Sequence, residues 1–436
     1  MSAPAMARVD YPIATHTLDN GLRVVVSTDR NVPATAVNVR YDVGSRDERA
    51  GRTGFAHLFE HLMFQGSGHV ASGEHFSLLQ AAGAVLNGTT SFDRTNYYET
   101  LPAGGFELAL WLEADRMATL LDAVGQANLN NQRDVVKEEK RQSYDNQPYG
   151  SWLEACFRLL FPAEHPYAHI PIGSMADLDA ATLADVHAFF HRYYGPNNAV
   201  VAVVGAIEPT VAFEAVERYF GAIPSIADPP EPPDGTLGPL DGPVVEDVHS
   251  DVPAAAAYRL FRLPPDPSAG LDAARVAAQI LGGGAASRLH VRLMRHDQIA
   301  TAAHLGAIGL RGGVSAGQVV LQAHTGATLE PLEAAADEEI VRALEEGVTP
   351  EEIATAKAQV EHGYLRQLST CAGRADELAK QTLQAGDPGQ VNTWLDRLDA
   401  VGPQEIDAVA TTWFHPRHSA VARFLPTATP ADRSEA

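Results

Sequence analysis

Residues 53–66 read Thr53-Gly54-Phe55-Ala56-His57-Leu58-Phe59-Glu60-His61-Leu62-Met63-Phe64-Gln65-Gly66. Phe55, Leu58, Phe59 and Leu62 fall at helical spacing. The stretch therefore predicts a helix from about Thr53 to Phe64, capped by Thr53 and anchored by its apolar side. At about 100° per residue, His57 and His61 project one above the other, with Glu60 beside them. Two imidazoles at i and i+4 can reach one Zn²⁺ at about 2.0–2.1 Å, and the neighbouring carboxylate can take a proton from water activated there. Chance yields an HxxEH roughly 0.04 times in a chain with 17 histidines among 436 residues.

A zinc site with an open position needs a third protein ligand, usually His, Glu or Asp. The candidate segment is Gln132-Arg133-Asp134-Val135-Val136-Lys137-Glu138-Glu139-Lys140, inside a helical pattern from Asn128 to Ser143. Centring the inward stripe between Val135 and Val136 puts Glu139 about 10° from its middle and Glu138 about 110° away. A carboxylate turned toward a core needs a partner. Glu139 is therefore the expected ligand. Gln132, two turns earlier on that face, either steadies the ligands by hydrogen bonding or simply packs as an amide.

Outward from these helices, strand and helix signals alternate. Thr17 to Ser27 predicts a hairpin turning at Asp19-Asn20-Gly21. Ala36 to Val43 alternates Val37, Val39, Tyr41 and Val43 on one face. A polar loop is expected at Ser45–Arg52, a short helix near Glu74–Ala82, strands at Val85–Phe92 and Thr95–Leu101, and a helix at Phe106–Leu121. His69, His75, His165 and His169 read as loop or surface residues, Cys156 and Cys371 as buried thiols, and Gly282–Gly284 as a helix-ending turn.

The segment Gly221–Pro243 holds seven of the 28 prolines and cannot continue a helix or a central strand. It divides the chain into 1–223, a linker at 224–243, and 244–436. The halves look like copies. Asp185-Val186-x-Ala188, Tyr194-Gly195-Pro196 and the run Ala199–Val203 recur 220 residues later as Glu405-Ile406-x-Ala408, Phe414-His415-Pro416 and Ser419–Arg423. Ala255–Leu263 is a strand comparable with Ala36–Val43. The expected fold is α+β: two tandem homologous domains, each a mostly antiparallel sheet packed with helices.

Composition narrows the function. The 32 basic and 55 acidic residues give a net charge of −23, which argues against a phosphate backbone as ligand. The longest apolar run, Ala199 to Ile207, is about half of the roughly 20 residues that a spanning helix needs, so no membrane partner is expected. Two cysteines and a start without an apolar signal stretch fit a reducing, cytoplasmic setting.

The motif is the inverse of HExxH, which has its own class of zinc proteases. Leu18–Val25, Gly44–Glu48, Gly54–Gly66, Asn87-Gly88-Thr89-Thr90 with Asp93 and Thr95, and Asp134–Gln142 together resemble the pitrilysin/insulinase superfamily, in its mitochondrial-processing-peptidase-like branch. The resemblance implies that His57, His61 and Glu139 hold zinc and that Glu60 is the general base. It also implies that the run from Asn87 through Thr89 to Phe92 is an edge strand pairing with an extended peptide. Relatives tend to carry a second Glu where this chain has Gln132. The second half resembles the non-catalytic domain at Gly282–Leu289 and Leu293-Met294-Arg295. Arg295 would bind substrate, but Thr301 stands where a Tyr donor is expected. That departure implies a heterodimer with a homologous non-catalytic subunit, with a homodimer as the alternative. The rival readings are an inactive scaffold of the same fold and a metal-binding module without hydrolysis.

Overall fold

The computed structural model describes residues 6–427; residues 1–5 and 428–436, the outer ends of the two expected units, lie outside the described residues. Strands β1 (Ala14–Thr17), β2 (Arg23–Thr28), β3 (Ala34–Tyr41), β4 (Val85–Thr90), β5 (Thr95–Pro102) and β6 (Ala199–Gly205) form one sheet in the order β1-β2-β6-β3-β5-β4. Strands β7 (Val244–Ser250), β8 (Ala256–Leu263), β9 (Ala300–Ile308), β10 (Ser315–Ala323) and β11 (Ser419–Pro426) form a second, ordered β7-β11-β8-β10-β9. With β1 set aside, the two orders correspond strand for strand. Each sheet is antiparallel except at one pair, β2–β6 and β7–β11. The fold is the expected α+β pair.

The β1–β2 turn forms as its residues demand. Gly21 takes φ +85°, the left-handed conformation a side chain resists. Asn20 accepts from the Leu22 N–H at 3.1 Å and donates to the carbonyls of Phe220 and Ile223.

Alternation on β3 was expected to bury one face. Both are buried. Val37, Val39 and Tyr41 join the core beneath the first half's helices, while Ala36 joins the second half's core along with Val25, Val200, Ala202 and Val204. The cover is the helix Cys371–Gln384, which lies across β3 and β6 although it belongs to the second half. The reciprocal holds. Helix α5 (Trp152–Leu160; preceded by α1, Phe55–Leu62; α2, Glu74–Ala81; α3, Phe106–Ala123; and α4, Gln126–Lys140) packs on β8 and β11. Each half lends the other a helix, and each lent helix carries one of the two buried cysteines, Cys156 and Cys371.

The expected polar loop at Ser45–Arg52 is partly core. Ser45 and Arg46 are buried. Arg46 pairs with Asp42 at 2.5 Å and with Asp93 at 2.9 Å, and Tyr167 donates to Asp93 at 2.5 Å. From the second half, Arg311 pairs with Asp42 at 2.7 Å and donates its main-chain N–H to Asp93 at 3.0 Å. This buried cluster fastens the halves beside the Pro-rich segment, which runs without helix or strand from 224 to 243.

Removing the guanidinium leaves the buried Asp93 carboxylate without a paired cation, since Arg311 pairs with Asp42, and that is the costly way to break such a pair. Arg46→Met is therefore expected to lower stability by about 3–5 kcal/mol in chemical denaturation.

Candidate metal centre

Helix α1 starts where Gly54 takes φ +86°, and a Cβ there would lie 2.8 Å from the Ile172 carbonyl oxygen. Thr53 does not cap it, contrary to expectation. Its N–H and O–H both donate to Asp177, at 2.9 and 2.6 Å. The cap is Glu48, from the loop before, whose carboxylate accepts from the N–H groups of Gly54 at 2.8 Å and Ala56 at 2.7 Å. His169, in a loop as expected, donates to the same carboxylate at 2.9 Å. Burial pushes the Glu48 carboxyl up, and His169 with the two N–H groups opposes it. A side chain bridging eight residues back to a helix start satisfies N–H groups that have no partner within the helix.

Helix α4 runs beside α1, but its inward stripe differs from the expected one. Leu129, Gln132, Val136 and Lys140 are buried, while Val135 is 42% exposed. The stripe is rotated away from Val135, which moves Glu139 from its centre to its edge. The side chain of Glu139 is 40% exposed and meets both histidines: its oxygens lie 3.7 Å from His57 Nε2 and 3.3 Å from His61 Nε2. Glu138 points away to Arg141 and Gln142.

The imidazole planes of His57 and His61 stand at 80°, their centroids 4.8 Å apart. One donor atom from each of His57, His61 and Glu139 can be chosen so that all lie within 4.8 Å of one another. Ligands at about 2.0–2.1 Å around tetrahedral zinc stand about 3.3 Å apart, so the carboxylate already sits near ligand spacing. Two imidazole nitrogens and a carboxylate oxygen are a donor set that suits zinc. Burial and the neighbouring His61 lower the pKa of His57 to about 4, so its imidazole is neutral, the form that can bind a metal. The hydrogen bond with His61 lowers the pKa of Glu139.

Glu60 reaches β4. Its Oε2 accepts from the Thr90 hydroxyl at 2.6 Å, and a Cβ on Gly88 would come within 3.1 Å of its Cγ. Burial raises its pKa; Thr90, His61 and Arg94 act in the other direction. Strand β4 is one of the sheet's two outer strands, opposite β1, and Val85 at its start is 73% exposed. At the turn, the Ser91 N–H bonds the Arg94 carbonyl. Antiparallel pairs alternate between bonded and unbonded. Counting back by twos, Thr89 and Asn87 bond inward to Asn96 and Tyr98, leaving the main chain of Thr90, Gly88 and Leu86 facing outward. The Gly88 N–H is met by the Asn87 side chain at 2.9 Å, as an outward donor would be. Asn87 and Thr89, the expected substrate residues, therefore do not present their own main chain to a ligand.

Residues 23–157 match the Insulinase (Peptidase family M16) family, and residues 180–360 match the Peptidase M16 inactive domain. The chain belongs to peptidase family M16. It is 32% identical to the zinc protease PqqE of Helicobacter pylori over 293 residues, spanning 66% of this chain and 65% of that protein. It is 25% identical to the beta subunit of the Saccharomyces cerevisiae mitochondrial-processing peptidase over 230 residues, 52% of this chain and 48% of that one. A crystal structure of a Helicobacter pylori protease superposes with a TM-score of 0.88 at 26% identity, covering 95% of this chain and all of the other.

Within this M16 frame, no hydrogen bond or ion pair among the described residues joins the second-half candidates to the histidines. Arg295 lies on the wide helical turn His290–His296, is exposed, and has no ion-pair partner among the described residues. Thr301 sits on β9, its hydroxyl 3.3 Å from the Gln322 and Ala323 carbonyls. Gln132 is buried on the inner face of α4.

His75, expected at the surface, is buried on α2 against Glu99 and Glu113, at 4.0 and 3.9 Å. Arg116 pairs with Glu113 and lies over the Tyr97 ring. Burial and Glu113 drive the Glu99 carboxyl well above its usual range. His165 lies in a loop, as expected, but is buried there and bonds the Gly235 carbonyl in the linker. Both histidines lie outside the apolar stripes that the sequence displays.

Two outcomes follow from this geometry. Gly88→Val puts methyl groups against Glu60, Phe64 and Tyr97, and urea denaturation should show a loss of about 1–3 kcal/mol. In the folded protein, Glu99 holds its proton above the unfolded pKa, so it costs stability as pH rises. Glu99→Gln should match or exceed wild-type stability at pH 7, its advantage shrinking below pH 4 in parallel denaturation curves.

Proposed function

We propose that this M16 protein is a zinc endopeptidase that cleaves peptides or unstructured segments lying as an added strand along β4. The observation that carries the reading is the meeting of Glu139 with His57 and His61 on the helix that carries Glu60, beside a sheet edge with no strand beyond it. His57, His61 and Glu139 would hold the metal. When bound, zinc supplies Lewis acidity, acidifying water and polarising a carbonyl.

Glu60 takes the proton of the attacking water and hands it to the leaving amine, a task helped by a carboxyl whose affinity for protons is raised. Thr90 holds Glu60 in place. The outward groups of Leu86, Gly88 and Thr90 pair with the peptide main chain, which binds with little regard to sequence. Substrate entry would displace Asn87 from the Gly88 N–H.

Thr301 is too short for the donor role, and Arg295 is unpaired. We infer that a homologous second subunit supplies the missing donor to the scissile carbonyl. Losing such a donor costs roughly 10²–10³ in rate, so the chain alone should be slow.

Glu60→Gln should keep wild-type zinc content by elemental analysis and lose at least about 10³ in kcat on a quenched fluorescent peptide. Near-wild-type cleavage by that variant would overturn the assignment. A zinc-loaded chain that cleaves no peptide, even with its partner present, would favour a metal-binding module.

A further inference from the structure

The face of the first sheet opposite α1 carries a polar row. Arg40 on β3, Asn96 on β5 and Thr89 on β4 are register partners. Above them lies the helix Cys371–Gln384, lent by the second half, with Asp376 turned down onto the row. Asp376 Oδ1 accepts from Arg40 at 2.9 Å and from Asn96 Nδ2 at 3.2 Å. Asn96 Oδ1 in turn accepts from the Thr89 hydroxyl at 2.6 Å and from Arg94 at 2.8 Å. Arg94 also donates to the Thr89 carbonyl at 2.7 Å. The next residue, Thr90, holds Glu60.

We propose that Asp376 is a positioning residue for the active edge: from the second half it holds β4 in register and, through Thr89 and Thr90, sets where Glu60 stands. Arg40 is buried and Arg94 is mostly so; they repel each other, with Asp376 and Glu60 as the nearby opposing charges. An outer strand has one ladder, so its position depends on side-chain ties that an inner strand does not need. β4 has one neighbour; on this face Thr89 is tied directly by Arg94 and, through Asn96, by Asp376, the only one of these ties that comes from the second half. Small displacements of a catalytic group are costly out of proportion to their size. The second half thus contributes to the chemistry with a carboxylate that touches neither metal nor peptide.

The kinetic consequence rests on the peptidase reading, whereas the ordering of β4 does not. Asp376→Asn and Asp376→Glu are compared with wild type as zinc-loaded full chains, with partner where activity requires it. In Asp376→Asn, the inward amides of Asn87 and Thr89 should exchange with solvent at least about tenfold faster, while α1 and α3 keep wild-type protection. Zinc content should be unchanged, kcat should fall about tenfold or more, and Asp376→Glu should recover most of it. In a Thr90→Val background, where the tie to Glu60 is already cut, Asp376→Asn should cost far less than in wild type. A lower melting temperature with unchanged kcat and unchanged exchange at Asn87 and Thr89 would overturn the proposal. So would exchange rising equally through α1 and α3. If the wild-type protein cleaves nothing, the peptidase reading alone fails, and the exchange ratio still decides this inference.

Discussion

Two imidazoles one helical turn apart can share an ion with a carboxylate from another helix only if the two helices cannot slide. One residue of slip is about 1.5 Å, most of a zinc–ligand bond. The segment 172–181 prevents it by holding both helices. Gly173 lies so close to Gly54 that a Cβ would come within 2.3 Å of its backbone. Asp177 takes both donors of Thr53 ahead of α1. The same segment receives Lys140 at the Gly173 carbonyl, Arg133 at the carbonyls of Leu178 and Ala181, and Lys137 at Asp179. With Glu48 fixing the helix start, α1 and α4 are pinned to one stretch of chain, and His57, His61 and Glu139 inherit that rigidity.

What the sequence made legible was local. The i, i+4 histidines follow from helical pitch, and the turn at Gly21 from its need for positive φ. Glu139 was distinguished from Glu138 by periodicity even though the stripe's centre was misjudged. Val135 looks apolar yet faces solvent, while Lys140 looks polar yet is buried against Gly173 and Glu154. Periodicity ranks neighbouring positions better than it locates an edge. The reading failed where a polar group finds its partner far along the chain. Arg46 bound to Asp93 and His75 between Glu99 and Glu113 each rest on contacts between separate segments, and residue type alone predicts exposure for both.

The exchange of helices could not be read from periodicity either. A strand buried on both faces is a continuous apolar run, and the run does not tell which helix covers which face. β6 is such a strand, with alternate residues in two cores. Because Cys371–Gln384 covers the first sheet and α5 covers the second, neither half owns a complete core. The Pro-rich segment at 224–243 therefore joins two units already interlocked by packing and by the cluster of Arg46, Asp42, Asp93 and Arg311.

This interlock bears on why an open edge survives at β4. An unpaired outer strand invites association with any extended chain, and proteins blunt such edges by covering them, charging them or keeping them short. Here the strand is six residues long, its Gly88 donor is met by Asn87, and the carboxylate of Glu60 lies under it. These measures weaken pairing without abolishing it. On the proposed reading, a peptide would displace one asparagine and come to lie beside the carboxylate of Glu60. The edge is guarded against casual partners by the same residues that would act on a substrate, so the exposure that is a liability elsewhere is confined to where hydrolysis would remove whatever binds.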